Sequence, residues 1–104
     1  MWEMSDPLAM KVALSDDVLV QEVSGESVLL DLGSETYFGL NESGTRFWQL
    51  LTEYGNAELA IATMLEEYEV DEKTLRDDMR QLIQGLSEAG LITLTSRAEE
   101  DSSP

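Results

Sequence analysis

Three short segments in the first half of the chain carry the pattern of β-strands. Residues 18 to 23 and 27 to 32 are rich in branched aliphatic side chains, and residues 35 to 40 add two aromatic ones. Two turn signals, Ser24-Gly25 and Gly33-Ser34, separate these segments. Because connections this short join neighbouring antiparallel strands, the pattern predicts a three-stranded antiparallel meander.

The second half of the chain changes to the period of amphipathic helices. Asn41 is a suitable N-cap for a first helix that is predicted to end at Gly55. A second helix is predicted to begin near Asn56, and a third to run from Asp71 to Gly90. Their apolar stripes are Phe47, Leu50, Leu51 and Tyr54, then Ile61, Met64, Leu65 and Tyr68, then Leu75, Met79, Leu82, Ile83 and Leu86.

This inventory defines the fold class as α+β, with a short terminal β segment expected at residues 91 to 94. A three-stranded antiparallel meander followed by three helices is the inventory of a winged-helix-like domain. We expect one domain over residues 12 to 95. A flexible tail is expected at residues 1 to 11, and a disordered tail at residues 96 to 104.

Length and composition exclude several classes of protein. A chain of 104 residues with 42% hydrophobic residues can bury one modest core and no second one. No apolar run approaches the roughly 20 residues that cross a bilayer, and no secretion signal is recognisable at the N-terminus. Cysteine is absent, which removes disulfides and thiolate metal sites. These features predict a cytoplasmic protein.

The side chains that carry most enzyme chemistry are missing as well. There is no histidine and no cysteine, and the glycines form no phosphate-binding loop. Acidic pairs such as Asp16-Asp17, Glu66-Glu67 and Asp77-Asp78 are typical of solvated surfaces, and no calcium loop is present. The sequence therefore predicts neither an enzyme nor a cofactor or metal site.

Two stretches resemble the PqqD-like family. Residues 37 to 51 join Tyr37-Phe38-Gly39-Leu40-Asn41 to a helix that carries Phe47-Trp48-Gln49-Leu50-Leu51. Residues 78 to 86, followed by Gly90-Leu91-Ile92, match the third helix of that family and its exit. The resemblance covers roughly residues 12 to 94, in the order and spacing of the family.

The resemblance implies a RiPP recognition element, a non-catalytic protein of natural-product biosynthesis. Such a domain binds the leader of a ribosomally made precursor peptide and presents it to a maturation enzyme, such as a protease. The leader adds as an antiparallel strand beside the third strand and lies against the third helix. A stand-alone domain of this kind is either a cofactor-pathway peptide chaperone or the leader-binding half of a split lasso-peptide system. The run from residue 30 to residue 40 favours the lasso system.

The predicted peptide-binding residues lie on the third strand and the third helix. The strand contains neither proline nor lysine, which commonly protect an edge strand, so its open backbone can pair with a peptide. Side chains alternate along a strand, and we expect Phe38 and Leu40, rather than Tyr37 and Gly39, to face the core. The candidate residues are Glu35, Thr36, Tyr37, Phe38, Gly39 and Leu40, with Leu75, Asp78, Met79 and Leu82.

Two residues of the third helix admit two interpretations each. Asp78 flanks the apolar stripe, so it either accepts a hydrogen bond or a positive charge from the leader or is simply solvated. Gly85 costs up to roughly 1 kcal/mol in a helix relative to alanine. It indicates either the close approach of a strand or ligand, or tolerance of a poor helix former.

Two other functions remain open. A winged-helix transcription regulator would use the third helix, but acids outnumber bases there. An adaptor would bind a folded partner protein and would ignore leader peptides.

Charge supplies the first test. With 22 acidic residues against six basic ones, the net charge is −16, which serves either solubility or a neutral or basic partner. We expect no mobility shift of duplex DNA at about 150 mM salt, because the protein surface repels phosphates. A complex at micromolar protein that dissociates steeply as salt rises would contradict the peptide-binding hypothesis.

Overall fold

The computed structural model describes residues 7 to 95, and residues 1 to 6 and 96 to 104 of the predicted tails lie outside that part. The described chain has five strands and three α-helices after a 3-10 turn, in an α+β arrangement. The elements are a 3-10 helix Pro7–Ala9, β1 Lys11–Leu14, β2 Val18–Val23, β3 Glu26–Asp31, β4 Thr36–Leu40, α1 Glu42–Tyr54, α2 Ala57–Glu67, α3 Glu72–Glu88 and β5 Ile92–Thr95.

The predicted meander forms the larger of two sheets. Its strands lie in the order β2-β3-β4, all antiparallel. Ser24 and Gly25 have φ values of 55° and 87°, as the two central residues of a tight hairpin turn require. In the second turn, the Asp31 carboxylate accepts hydrogen bonds from the Gly33 N–H at 3.2 Å and from the Ser34 hydroxyl at 2.9 Å. Both predicted turns are confirmed.

The second turn also fixes where the last strand of the meander begins. Glu35, predicted as part of that strand, has a φ of 59°, and its N–H donates to the Asp31 carbonyl. A residue in the left-handed region does not continue a β-strand, so β4 begins at Thr36.

Polar caps set the starts of the three helices. The side chains of Asn41, Asn56 and Asp71 accept hydrogen bonds from the N–H groups of Gly44, Leu59 and Thr74, respectively. Gly55, with a φ of 65°, ends α1, as its position predicted. Within residues 7 to 95, none of the helices has the length and apolar composition needed to span a membrane.

The helices cover one face of the sheet, and the core lies between. Leu29 from the central strand is fully buried, together with Phe47 of α1 and Met64 of α2. The predicted apolar stripes are only partly confirmed. On α3 the buried side chains are Leu75, Met79, Ile83 and Leu86, whereas Leu82 is half-buried at the flank of the stripe.

A second sheet of two strands closes the domain. The C-terminal β segment predicted from the sequence is β5, and its antiparallel partner is β1. Two residues of the segment predicted as an N-terminal tail lie in the folded part, because Leu8 is buried in the core and Lys11 pairs with Thr95. The strand β1 has four residues, and its partner lies about 80 positions along the chain. Because the pairing is so distant, no local sequence pattern predicted this strand.

Two polar links tie the helices to each other and to the sheet. Arg46 of α1 donates two hydrogen bonds to Glu67 at the end of α2, at 2.8 and 2.6 Å. These bonds hold the pKa of Glu67 below its ordinary value. Gln49 of α1 donates to Glu22 of β2 at 2.9 Å. The edge strand β2 is thereby tied to the helical layer.

A buried pair of hydroxyl groups gives a test of the sheet-to-helix packing. Ser27 of β3 and Thr45 of α1 are buried, with their oxygens 2.7 Å apart. Thr45→Val keeps the side-chain shape but leaves the Ser27 hydroxyl without this partner, and should lower the free energy of unfolding by about 1–3 kcal/mol. Urea denaturation measures the loss. The double variant Ser27→Ala/Thr45→Val should recover most of it, and no recovery would show that the pair does not act together.

Candidate peptide-binding site

The strand β4 has one free backbone edge. It pairs with β3 along its whole length, from Thr36 opposite Asp31 to Leu40 opposite Ser27. No strand within residues 7 to 95 pairs with its other side. A strand in this position presents unpaired N–H and C=O groups at every second residue along its open edge. The edge is therefore a template for one more strand.

The two faces of β4 differ in burial. Leu40 is buried, and Phe38 is half-buried against the core. Tyr37 is 70% exposed, and Gly39 is exposed beside it. Phe38 and Leu40 thus face the helices, as the alternation along the strand predicted.

A groove separates the end of β4 from the middle of α3. It encloses about 490 Å³. Five of the ten predicted site residues line it, together with three residues from the start of α1 that the sequence analysis missed. The lining consists of Gly39, Leu40, Asp78, Met79 and Leu82, with Asn41, Ser43 and Gly44.

The other predicted residues lie outside this groove. Leu75 is buried in the core one turn before Met79. Thr36 and Tyr37 lie further back along the β4 edge, and Glu35 is in the preceding turn. Asn41 and Gly44 were recognisable as the cap and the first turn of a helix, but nothing local indicated that this turn meets α3.

Two glycines set the separation between β4 and α3. A side chain at Gly85 would begin 3.3 Å from the Phe38 ring, so the ring rests directly on the helix backbone there. Gly85 therefore serves the close approach of a strand, one of its two predicted interpretations, and that strand is β4 itself. A side chain at Gly44 would begin 3.4 Å from both Leu40 and Leu82. The gap is closed at Phe38 and opens towards Met79 and Asp78.

Charge in the groove comes from one carboxylate. Asp78 is exposed and has no hydrogen-bond or ion-pair partner among residues 7 to 95. Its neighbour Asp77 differs, because Lys73 at 3.1 Å and Arg80 at 2.8 Å both donate to it. The hydrogen bond from Lys73, followed by its charge, lowers the pKa of Asp77. Asp78 is thus the carboxylate that remains available to a bound molecule.

In the described part of the chain, the side chains that commonly bind metal ions are not grouped together. Within residues 7 to 95, no group of three or more histidine, cysteine or acidic side chains could hold an ion. The groove instead combines an open strand edge, two apolar side chains of α3 and a single acid. Among recurring modes of recognition, this combination suits an extended peptide that adds to a sheet.

Comparison with known proteins assigns the family. The sequence model described as coenzyme PQQ synthesis protein D (PqqD) matches residues 26 to 92. The chain belongs to the PqqD family. A search of curated proteins gives no match.

Two solved structures share the fold. The structure of TbiB1 in complex with the TbiA(beta) leader peptide is 36% identical, covering 77% of this chain and 93% of TbiB1, with a TM-score of 0.70. A lasso peptide synthetase B1 complexed with its leader peptide is 26% identical, covering 79% and 96% of the two chains, with a TM-score of 0.68. Each of these relatives was solved with a leader peptide.

A substitution at Gly39 tests whether the fold requires a glycine at this position. Its φ lies outside the left-handed region, and an added Cβ would meet no atom within 4 Å. Gly39→Val should therefore fold, with a free energy of unfolding equal to that of the parent or up to about 1 kcal/mol higher. Urea denaturation measures the difference.

Gly85→Val is the matched control for this substitution. Its Cβ would press on the Phe38 ring, and we expect a loss of about 1–3 kcal/mol. If Gly39→Val is instead destabilised as strongly as Gly85→Val, the fold itself requires the glycine at position 39.

Proposed function

We propose that this protein binds the leader of a ribosomally made precursor peptide as an added strand on β4 and presents it to a maturation enzyme. The observation that carries the proposal is the open edge of β4 beside the groove at α3. Membership of the PqqD family supports it, as do the two relatives solved with leader peptides.

Backbone pairing would supply the part of the affinity that does not depend on sequence. The leader would run antiparallel to β4 and exchange N–H···O=C bonds with alternate residues of the edge. Half of its side chains would then face the helices, and the other half would lie beside Tyr37 on the outer face. Only the first half would enter the groove.

The groove would supply the selectivity. Its walls at Leu40, Met79 and Leu82 are apolar, so an apolar leader side chain is the natural anchor there. Asp78 at the rim would accept a hydrogen bond or a positive charge from a neighbouring leader residue. A leader that offers an apolar anchor next to a donor would therefore be preferred over one that offers an acid.

The role in maturation would be to bring substrate and enzyme together. The chain has no histidine or cysteine, and the groove holds one carboxylate, so we assign the covalent chemistry to a separate enzyme. Holding the leader raises the local concentration of the attached core peptide. Since one relative is a lasso peptide synthetase B1, we assign this chain to a split lasso-peptide system acting in the cytoplasm, where precursors are made.

The two alternative functions receive less support. A DNA-binding winged helix would need a basic α3, but its cations lie against acids: Lys73 and Arg80 contact Asp77, and Arg76 donates to Glu58 at 2.8 and 2.9 Å. An adaptor that binds only a folded protein would not require the open edge of β4. Titration with a leader peptide separates the adaptor from the proposed function.

A proline scan of β4 tests strand addition. Along Thr36 to Gly39, successive N–H groups alternate between β3 and the open edge. Proline at an outward position removes one donor and obstructs the added strand but leaves the sheet intact. We expect such variants to bind a fluorescently labelled leader about fivefold or more weakly, since a lost hydrogen bond costs on the order of 1 kcal/mol. Anisotropy measures binding.

Circular dichroism identifies the folded variants, because proline at an inward position damages the sheet. The matched control is the same scan at residues 19 to 21 of β2, the opposite edge of the sheet, where folded variants should keep the parent affinity. Strand addition to β4 is wrong if every folded β4 variant binds the leader as tightly as the parent.

A further inference from the structure

The outer face of the three-stranded sheet is apolar and carries no covering layer among residues 7 to 95. The strand register places side chains of all three strands next to one another on this face, opposite to the helices. Leu19 is 55% exposed and Val23 67% exposed, values far above those of core residues. The outward apolar side chains are Leu19, Val23, Val28, Leu30 and Tyr37.

A hollow lies at the end of this face nearest the turn between β2 and β3. Gly39 contributes no side chain between Tyr37 and the end of the strand, and the space beside it encloses about 590 Å³. Val23 and Val28 line the same hollow. Because the conformation of Gly39 does not require a glycine, its absent side chain leaves room for another molecule.

Acidic residues lie at both ends of the apolar face. Asp16 and Asp17 precede β2, Glu26 begins β3 and Glu35 precedes β4, and all four are exposed. An apolar centre with a charged rim is the usual anatomy of a protein–protein interface. The complementary surface would be apolar in the middle, with lysine and arginine around it. A second copy of this chain does not offer such a basic surface, because pairing the two outer faces would place the same acidic residues against each other.

We propose that this outer face is the docking surface for the maturation enzyme, which meets it with an apolar patch flanked by basic side chains. The inference rests on the proposed function. A leader strand added to β4 would extend the same face beyond Tyr37, so the enzyme would contact the recognition domain and the leader on one continuous surface. The core peptide would then leave the sheet at the border of the enzyme.

The test separates docking of the enzyme from binding of the leader. Leu19→Lys/Val28→Lys places two cations on the outer face, on strands that do not form the β4 edge. The matched control is Val20→Lys, next to Leu19 on the same strand, 44% exposed but pointing to the other face. The probes are the labelled leader of the co-encoded precursor and the purified maturation enzyme encoded beside it, each titrated separately.

We expect the double variant to bind the leader within about twofold of the parent and the enzyme at least about tenfold more weakly. Val20→Lys should match the parent in both titrations. Circular dichroism checks the fold, and Leu19→Lys alone, which should weaken enzyme binding several-fold, replaces the double variant if that does not fold.

Three results would overturn the docking surface. If the double variant binds the enzyme as tightly as the parent, the enzyme docks on another surface, and the proposed leader binding is unaffected. A parent protein that sediments as a dimer, dissociated by the double variant, makes the face a contact between two copies. If the parent protein binds no leader, the proposed function is wrong, and the docking surface, which rests on it, is wrong as well.

Discussion

The approach of β4 to α3 is the constraint on which the rest of the molecule depends. The Phe38 ring lies on the backbone of α3 because Gly85 has no side chain, and Leu40 and Leu82 both lie against Gly44. These side-chain contacts hold the last strand of the sheet against the helical layer. Its backbone edge is consequently left free, although the strand is firmly placed.

Local signals in the sequence determined most of the secondary structure. The turns at Ser24-Gly25 and Gly33-Ser34, and the caps at Asn41 and Asp71, depend on residues within four positions of one another, so they could be predicted. The strand β1 could not, because its pairing with β5 joins opposite ends of the described chain. Contacts of that range leave no periodic trace in a segment of four residues.

For the candidate site too, local features could be predicted from the sequence, whereas features that depend on long-range packing could not. The strand, its likeness to a known family and the acid at position 78 were accessible from sequence, and the side of Phe38 and Leu40 followed from alternation. Leu82 was predicted at the site, but its half-burial beside the fully buried Ile83 was not, since a helix stripe about 100° wide includes both residues. The contribution of Ser43 and Gly44 depends on how α1 crosses α3, which only the packed structure specifies.

The turn around Asp31 has a consequence for the substrates. By ending at Glu35, it restricts β4 to five residues, a ladder only about 17 Å long, and the cap at Asn41 closes the other end. If a leader adds to β4 as proposed, its backbone can pair with the protein over only a few positions. Under the proposed function, precursors could then differ in the rest of their sequence while keeping one short recognition segment, and so short a contact would favour the release of one peptide and the binding of the next.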